Sequence, residues 1–185
     1  ILDGLEWIQN ATKVNDYAMI FISGHGVNDA LGNYYFLPSN FDPNKFKSTG
    51  VSYLEIKNTL NAIQGKVIFF GDTCHSANVF GKGNPADITI LINELSDAEN
   101  GIVVFTSSTK NQLSLEDKSW GNGAFTKALV EGLNGKADYT KKGRITINML
   151  DLYLSERVKE LTKDQQTPAT SKPDTIADFQ IVDLK

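Results

Sequence analysis

Cysteine is nearly absent from this chain: there is one in 185 residues. A lone thiol excludes an internal disulfide and suits a reducing, cytoplasmic setting. Histidine is almost as scarce, with two, and proline numbers five. No apolar run approaches the ~20 residues that a membrane-spanning helix needs, so no membrane partner is expected. A cationic excess is missing too. Eighteen Lys and Arg stand against 22 Asp and Glu, for a net charge of −4 and a pI near 5.2. That balance leaves no electrostatic footprint for nucleic acid. The remainder, 41% hydrophobic and 22% charged, is an ordinary globular composition. It is long enough for one real core and short for two. The chain opens on Ile1 and not on Met, so flanking regions of a longer polypeptide are expected.

Helical and strand patterns alternate along the chain. Leu2, Leu5, Trp7 and Ile8 give residues 2–12 a helical spacing. The apolar run Tyr17–Ile22, stopped by Ser23-Gly24-His25-Gly26, predicts a strand buried on both faces. Tyr34–Leu37, closed by Pro38, predicts a short accessory strand. Ser52 with Glu55 three residues on forms a capping box for a helix reaching about Ile63. Lys66–Phe70 predicts the second buried strand, running into Gly71-Asp72-Thr73-Cys74. A Gly-rich loop follows at Gly81–Pro85, then a helix over about Asp87–Ser96 and a third strand at Ile102–Thr106. A polar loop over Ser107–Gly121 leads to helices over about Gly123–Leu133 and Ile147–Leu161. Thr162–Asp174 reads as loop, and Phe179–Val182 as a last strand. Strands joined by helical crossovers imply an α/β fold with a mostly parallel sheet between helices. Sites in such sheets form where loops leave the carboxyl ends of the strands.

His25 and Cys74 each stand just past such an end, on consecutive core strands. A thiol is a nucleophile as the thiolate, which a nearby imidazole promotes by taking the proton. Neighbouring strands about 4.8 Å apart bring the two within reach of each other. The competing view of Cys74 is a small buried hydrophobe, weakened by its polar neighbours Asp72, Thr73, His75 and Ser76. His75 is a rival base, but its adjacency to Cys74 sends it in another direction. A zinc site from Cys74, His75, His25 and Asp72 lacks the paired short-spaced ligands usual for structural zinc. No metal and no cofactor are expected.

Ser23-Gly24-His25-Gly26 after one apolar strand, and Asp72-Thr73-Cys74-His75-Ser76 after the next, resemble the two signatures of caspase-like cysteine peptidases. The match is closer to metacaspases and bacterial orthocaspase-like relatives than to animal caspases. In caspases the histidine lies about 50 residues upstream of the cysteine; here the spacing is 49 (74 − 25). Further likeness runs through Tyr34–Pro38, Thr106-Ser107-Ser108, Gly123–Thr126 with Leu129, and Gln166-Thr167-Pro168 followed by Asp178-Phe179.

The resemblance implies a caspase-like open sandwich over residues 1–185 and a cysteine endopeptidase acting on protein or peptide substrates. Cys74 would be the nucleophile and His25 the base, with backbone N–H groups of Gly26 and Cys74 around the oxyanion. Asp72 resembles the acidic residue that receives a substrate Arg or Lys, with Glu116 and Asp117 as supporting acids; a turn residue bonding its own backbone is the plainer view of Asp72. Self-cleavage would fall at Lys82, Lys110 or Lys118. Ala77 stands where the family commonly has Gly, and the family's first strand and helix have no counterpart ahead of Leu2. No clear match exists for the metacaspase calcium cluster, and Lys141 and Lys142 spoil Asp138–Gly143 as a calcium loop. Two rivals remain: a catalytically silent caspase-like docking or scaffolding module, and a metal-dependent hydrolase on a similar sheet.

Overall fold

A computed structural model describes residues 1–29, 31–75, 95, 101–108, 114–117 and 120–185, and of residues 74 and 75 the backbone alone. The expected helix over 87–96 lies outside the described residues apart from Leu95, which is helical and buried in the core. The Gly81–Pro85 loop and Ala77 lie outside them as well.

Eight strands and four principal helices are described. The strands are β1 (Tyr17–Asn28), β2 (Tyr34–Leu37), β3 (Val51–Ser52), β4 (Lys66–His75), β5 (Ile102–Thr106), β6 (Arg144–Thr146), β7 (Ala169–Ser171) and β8 (Gln180–Asp183). The helices are α1 (Leu2–Ala11), α2 (Tyr53–Ala62), α3 (Ala124–Glu131) and α4 (Ile147–Thr162). Six strands form the central sheet in the order β3-β2-β1-β4-β5-β7, and β6 pairs with β8 apart from it. The middle three strands are parallel, while β2, β3 and β7 add antiparallel margins. The architecture is the α/β one expected, a central sheet between helices.

Alternation along each strand sorts the core into two halves. Ala18, Ile20, Val67, Phe69, Ile102 and Val104 pack toward α1 and α2. Ile68, Phe70, Val103 and Phe105 pack toward α3 and α4, with Phe70 and Phe105 stacked at 5.1 Å. Each fully buried Phe or Ile contributes roughly 1.5–3 kcal/mol by leaving water. At α2 the capping box is present: Ser52 accepts from the Glu55 N–H, and Glu55 accepts from the Ser52 N–H. That reciprocal pairing satisfies backbone donors left over in the first helical turn.

Several expectations need correction. β1 is buried on one face only, since Met19 and Phe21 are 40% and 45% exposed. They line an apolar groove of about 260 Å³ with Phe70, Leu129, Val130 and Leu133. The reason is coverage: α3 and α4 lie over β4 and β5, and β2 pairs with β1 only from His25 onward. Trp7 is 68% exposed, so the buried stripe of α1 is Leu5 with Ile8. β1 and β4 do not stop at the glycines but run through the motifs, because their parallel ladder continues to Gly26 and His75. The segment 162–174 holds β7, an edge strand on β5, and β6 had no apolar run to announce it. The last strand begins at Gln180 and joins β6, outside the central sheet. Among the described residues no helix is long and apolar enough to cross a membrane.

Candidate active site

The extension of β1 and β4 beyond the core sets up the site. Their register pairs Phe21 with Phe70, Ser23 with Asp72, and His25 with Cys74. Register partners on neighbouring strands lie about 4.8 Å apart. The expected pair is therefore brought together at one level of one ladder, with Ser23 and Asp72 one step below. The His25 side chain is exposed to solvent. Gly26 is buried within β1, opposite Phe36 on one side and His75 on the other. The strand conformation corrects the expectation of loops here: a ladder places His25 and Cys74 with less freedom than two loops would.

Asp72 is 6% exposed. Its Oδ2 accepts a 2.5 Å hydrogen bond from the Thr126 hydroxyl, and the Thr126 backbone N–H and the hydroxyls of Ser107 and Ser114 also reach the carboxylate. Thr126 stands in the first turn of α3, whose backbone donors have no partner within the helix. Burial pushes the Asp72 carboxyl above the usual carboxylate range, and those donors pull it back only in part. Gly123, the N-cap of α3, faces the same group. A Cβ there would stand 3.1 Å from Asp72 Oδ2, so glycine leaves the carboxylate room.

The segments around Asp72 are tied together by Gln166, which is fully buried. Its Nε2 donates to the Ser107 carbonyl at 2.6 Å, and its Oε1 accepts from the Leu115 N–H at 2.8 Å. One side chain thus spans two separate segments that carry Ser107 and Ser114. Ser107 and Ser114 share a 2.5 Å hydroxyl contact, and Ser114 reaches the Thr73 carbonyl at 3.4 Å.

Glu116 and Asp117 are both exposed. Glu116 bridges to Gly123, the glycine that faces Asp72, while Asp117 accepts the Trp120 N–H through its carbonyl. Neither carboxylate is among the groups acting on Asp72. Lys82, Lys110 and Lys118 lie outside the described residues. Asp138 turns inward and accepts from the Lys142 and Gly143 N–H groups, so it ties its own loop. The participants that sequence reasoning missed are Thr126, Ser107, Ser114 and Gln166, with Ser23 as the register partner of Asp72. Thr126, Ser107 and Gln166 stand inside stretches that resemble caspase-like peptidases, but uncharged polar residues carry no periodic signal of their own.

No curated protein matches this chain. Among solved structures, protein GSU0716 from Geobacter sulfurreducens is similar in fold, with a TM-score of 0.62 and 20% identity. That likeness covers 95% of this chain and 73% of the other. The family model for the caspase domain matches residues 1–180. With the match spanning both strands of the candidate dyad and the partners of Asp72, the chain belongs to the caspase domain family of peptidases.

Proposed function

We propose that this protein is a cysteine endopeptidase of the metacaspase or orthocaspase-like kind, cleaving after Arg or Lys through a Cys74–His25 dyad. The single observation that carries the reading is the β1–β4 register, which pairs His25 with Cys74 and sets Asp72 one step below. In the forward step the Cys74 sulfur attacks the scissile carbonyl carbon while His25 takes the thiol proton. The carbonyl oxygen becomes an oxyanion facing the backbone N–H groups of Gly26 and Cys74. His25 then returns the proton to the leaving amine, and water hydrolyses the thioester. Placing the reacting groups on one ladder lowers the entropic cost of assembling them.

The proposed specificity follows from the surroundings of Asp72. Among the described residues Asp72 meets hydroxyls and a helix amide but no cation. A carboxylate so placed favours a guanidinium or ammonium by a charge-assisted bond. Ser107 and Ser114 have other acceptors, each other and the Thr73 carbonyl, so they can rotate aside for an arriving cation. Glu116, at the rim beside Gly123, would add a weaker attraction; Asp117 is more distant in role.

Fluorogenic peptides ending in Arg, Lys or Asp test the reading on wild type, Cys74→Ala, His25→Ala and the double variant. Arg and Lys peptides should be cleaved and Asp peptides should not. Each single change should remove nearly all turnover, and the double change should cost little more, because the two groups act as a unit. A folded single variant that keeps more than roughly a twentieth of wild-type turnover ends the dyad assignment. A wild type inert to every peptide would favour the silent docking module, for which the Met19–Phe21 groove offers a surface.

A further inference from the structure

Tyr34 lies behind the site, on the face of the sheet opposite His25. It is 6% exposed, packs edge-on against Phe36 at 5.0 Å, and belongs to the α1–α2 half of the core. Two facts set it apart from an ordinary core tyrosine. Its phenol donates to the Thr73 Oγ1 at 3.1 Å in a buried contact, and Thr73 is the residue before Cys74. The same ring end rests on Gly26: a Cβ built there would overlap Tyr34 Oη and Cζ outright. One side chain therefore touches both strands, at Gly26, one of the proposed oxyanion donors, and at Thr73, the residue before the other.

We infer that Tyr34 is a positioning residue of this active site, holding the Gly26 and Thr73–Cys74 backbone in fixed relation from behind through its ring and its hydroxyl. The inference rests on the peptidase reading for its catalytic consequence. Physically, β1 and β4 are past their core-packed stretches at this level, and the residues there (Ser23-Gly24-His25-Gly26 and Asp72-Thr73-Cys74-His75) supply little apolar packing. Two glycines give β1 extra backbone freedom at this point. An oxyanion site needs donors already in place when charge develops, since reorganisation during the reaction raises the barrier. Tyr34 supplies that rigidity with a ring pressed on one donor's Cα and a hydrogen bond to the residue beside the other. Ser114 adds a second hold on Thr73, at its carbonyl, which belongs to the peptide unit whose N–H is that of Cys74. The absence of a Cβ at Gly26 is what lets the phenol approach, so Gly26 and Tyr34 form a matched pair.

The test is Tyr34→Phe, which keeps the ring and deletes the hydroxyl, with Thr73→Val and the double variant beside it. On an Arg-ended peptide, kcat of Tyr34→Phe should fall about 10- to 100-fold while KM moves less than about 2-fold. Affinity for the matching peptide aldehyde, whose thiol adduct carries an oxyanion, should fall in step with kcat/KM. Affinity for the non-reactive peptide amide should not. The double variant should lose no more than the worse single one, because both remove the same bond. A merely structural role would instead lower the thermal midpoint and leave kcat per folded molecule and aldehyde affinity unchanged, which would overturn the inference. If wild type shows no Cys74-dependent hydrolysis, the peptidase reading falls, and amide hydrogen exchange decides the positioning role alone. Exchange at Gly26 and Cys74 should then quicken about tenfold or more in Tyr34→Phe, with α4 amides unchanged. Unaltered exchange at both would overturn it.

Discussion

Two carboxylates meet helix α3 at its opposite ends, and their settings differ in kind. Glu131, in the last turn, is surrounded by cations: Arg157 Nε at 2.9 Å, Lys136 Nζ at 3.1 Å and Lys127 Nζ at 3.4 Å, with the Tyr153 hydroxyl at 3.0 Å. Partial burial alone would raise its pKa, but hydrogen bonds from Arg157, Lys136 and Tyr153 and the Arg157 charge hold it down to about 2. Asp72, at the first turn, is more deeply buried and meets hydroxyls and one backbone amide, so burial wins and its pKa rises. Glu131 has its counter-charges built in. Asp72 does not among the described residues, and a buried negative charge without a cation is costly to the fold. A buried carboxylate in that setting is what the proposed role of Asp72, receiving a cationic side chain, would require.

The sharpest way to break this contrast is to neutralise Asp72. Asp72→Asn should lower kcat/KM for Arg and Lys peptides about 100-fold or more, since it removes one partner of a buried charge pair. Its thermal midpoint should stay level or rise. The sign follows from linkage: a carboxyl with a raised folded pKa favours the fold while protonated, and that contribution is lost as pH climbs from the ordinary 3.8 through the folded value. Asn removes that loss, so a thermal scan across roughly pH 4 to 8 should be flatter for the variant. A marked fall in stability at neutral pH would make Asp72 a structural cap for α3 instead.

A smaller effect is expected at Thr126. Thr126→Val deletes the 2.5 Å donor to Asp72 and leaves the helix amide in place. The carboxylate loses support, its pKa rises further, and the acid limb of kcat/KM for Arg peptides should move to higher pH. Turnover should drop roughly tenfold on the acid side and recover toward the alkaline side. An unmoved acid limb would disconnect Asp72 from substrate binding.

The smallest effect lies at the other end of the helix. Glu131→Gln should leave every kinetic constant as it is and lower the thermal midpoint at neutral pH by about 2–4 °C. Glu131 has a depressed folded pKa, so its contribution is present above the ordinary 4.5 and is lost as pH falls toward about 2. Scans of wild type and variant should therefore converge across that window. Divergence that persists in acid would assign the loss to packing and not to charge.

Much of the fold was legible because it rests on short-range patterns. Ile102–Thr106 and Tyr34–Leu37 appear with the bounds their apolar runs predict, and the Ser52–Glu55 box starts α2 where expected. Less legible were the strands with no apolar run. Ala169–Ser171 is polar and becomes β7 only because β5 offers it an edge, and Arg144–Thr146 becomes β6 through β8. The same reason explains why β1 and β4 outrun their apolar segments: each extends because the other is there.

By itself the amino-acid sequence determined the α/β alternation and the singular Cys74 with His25 at a spacing of 49 (74 − 25) residues. These are local facts of residue type and order, and the family match over residues 1–180 agrees with them. Tertiary structure alone decided that Asp72 would meet Thr126, 54 residues away, and that Tyr34 would reach Thr73 across 39. It also decided that Gln166 would span to Ser107 over 59. Each of those contacts joins small polar groups brought together by sheet register and helix packing. A hydroxyl or an amide has no periodicity to betray its partner. Its role exists only once burial has removed the water that would otherwise satisfy it.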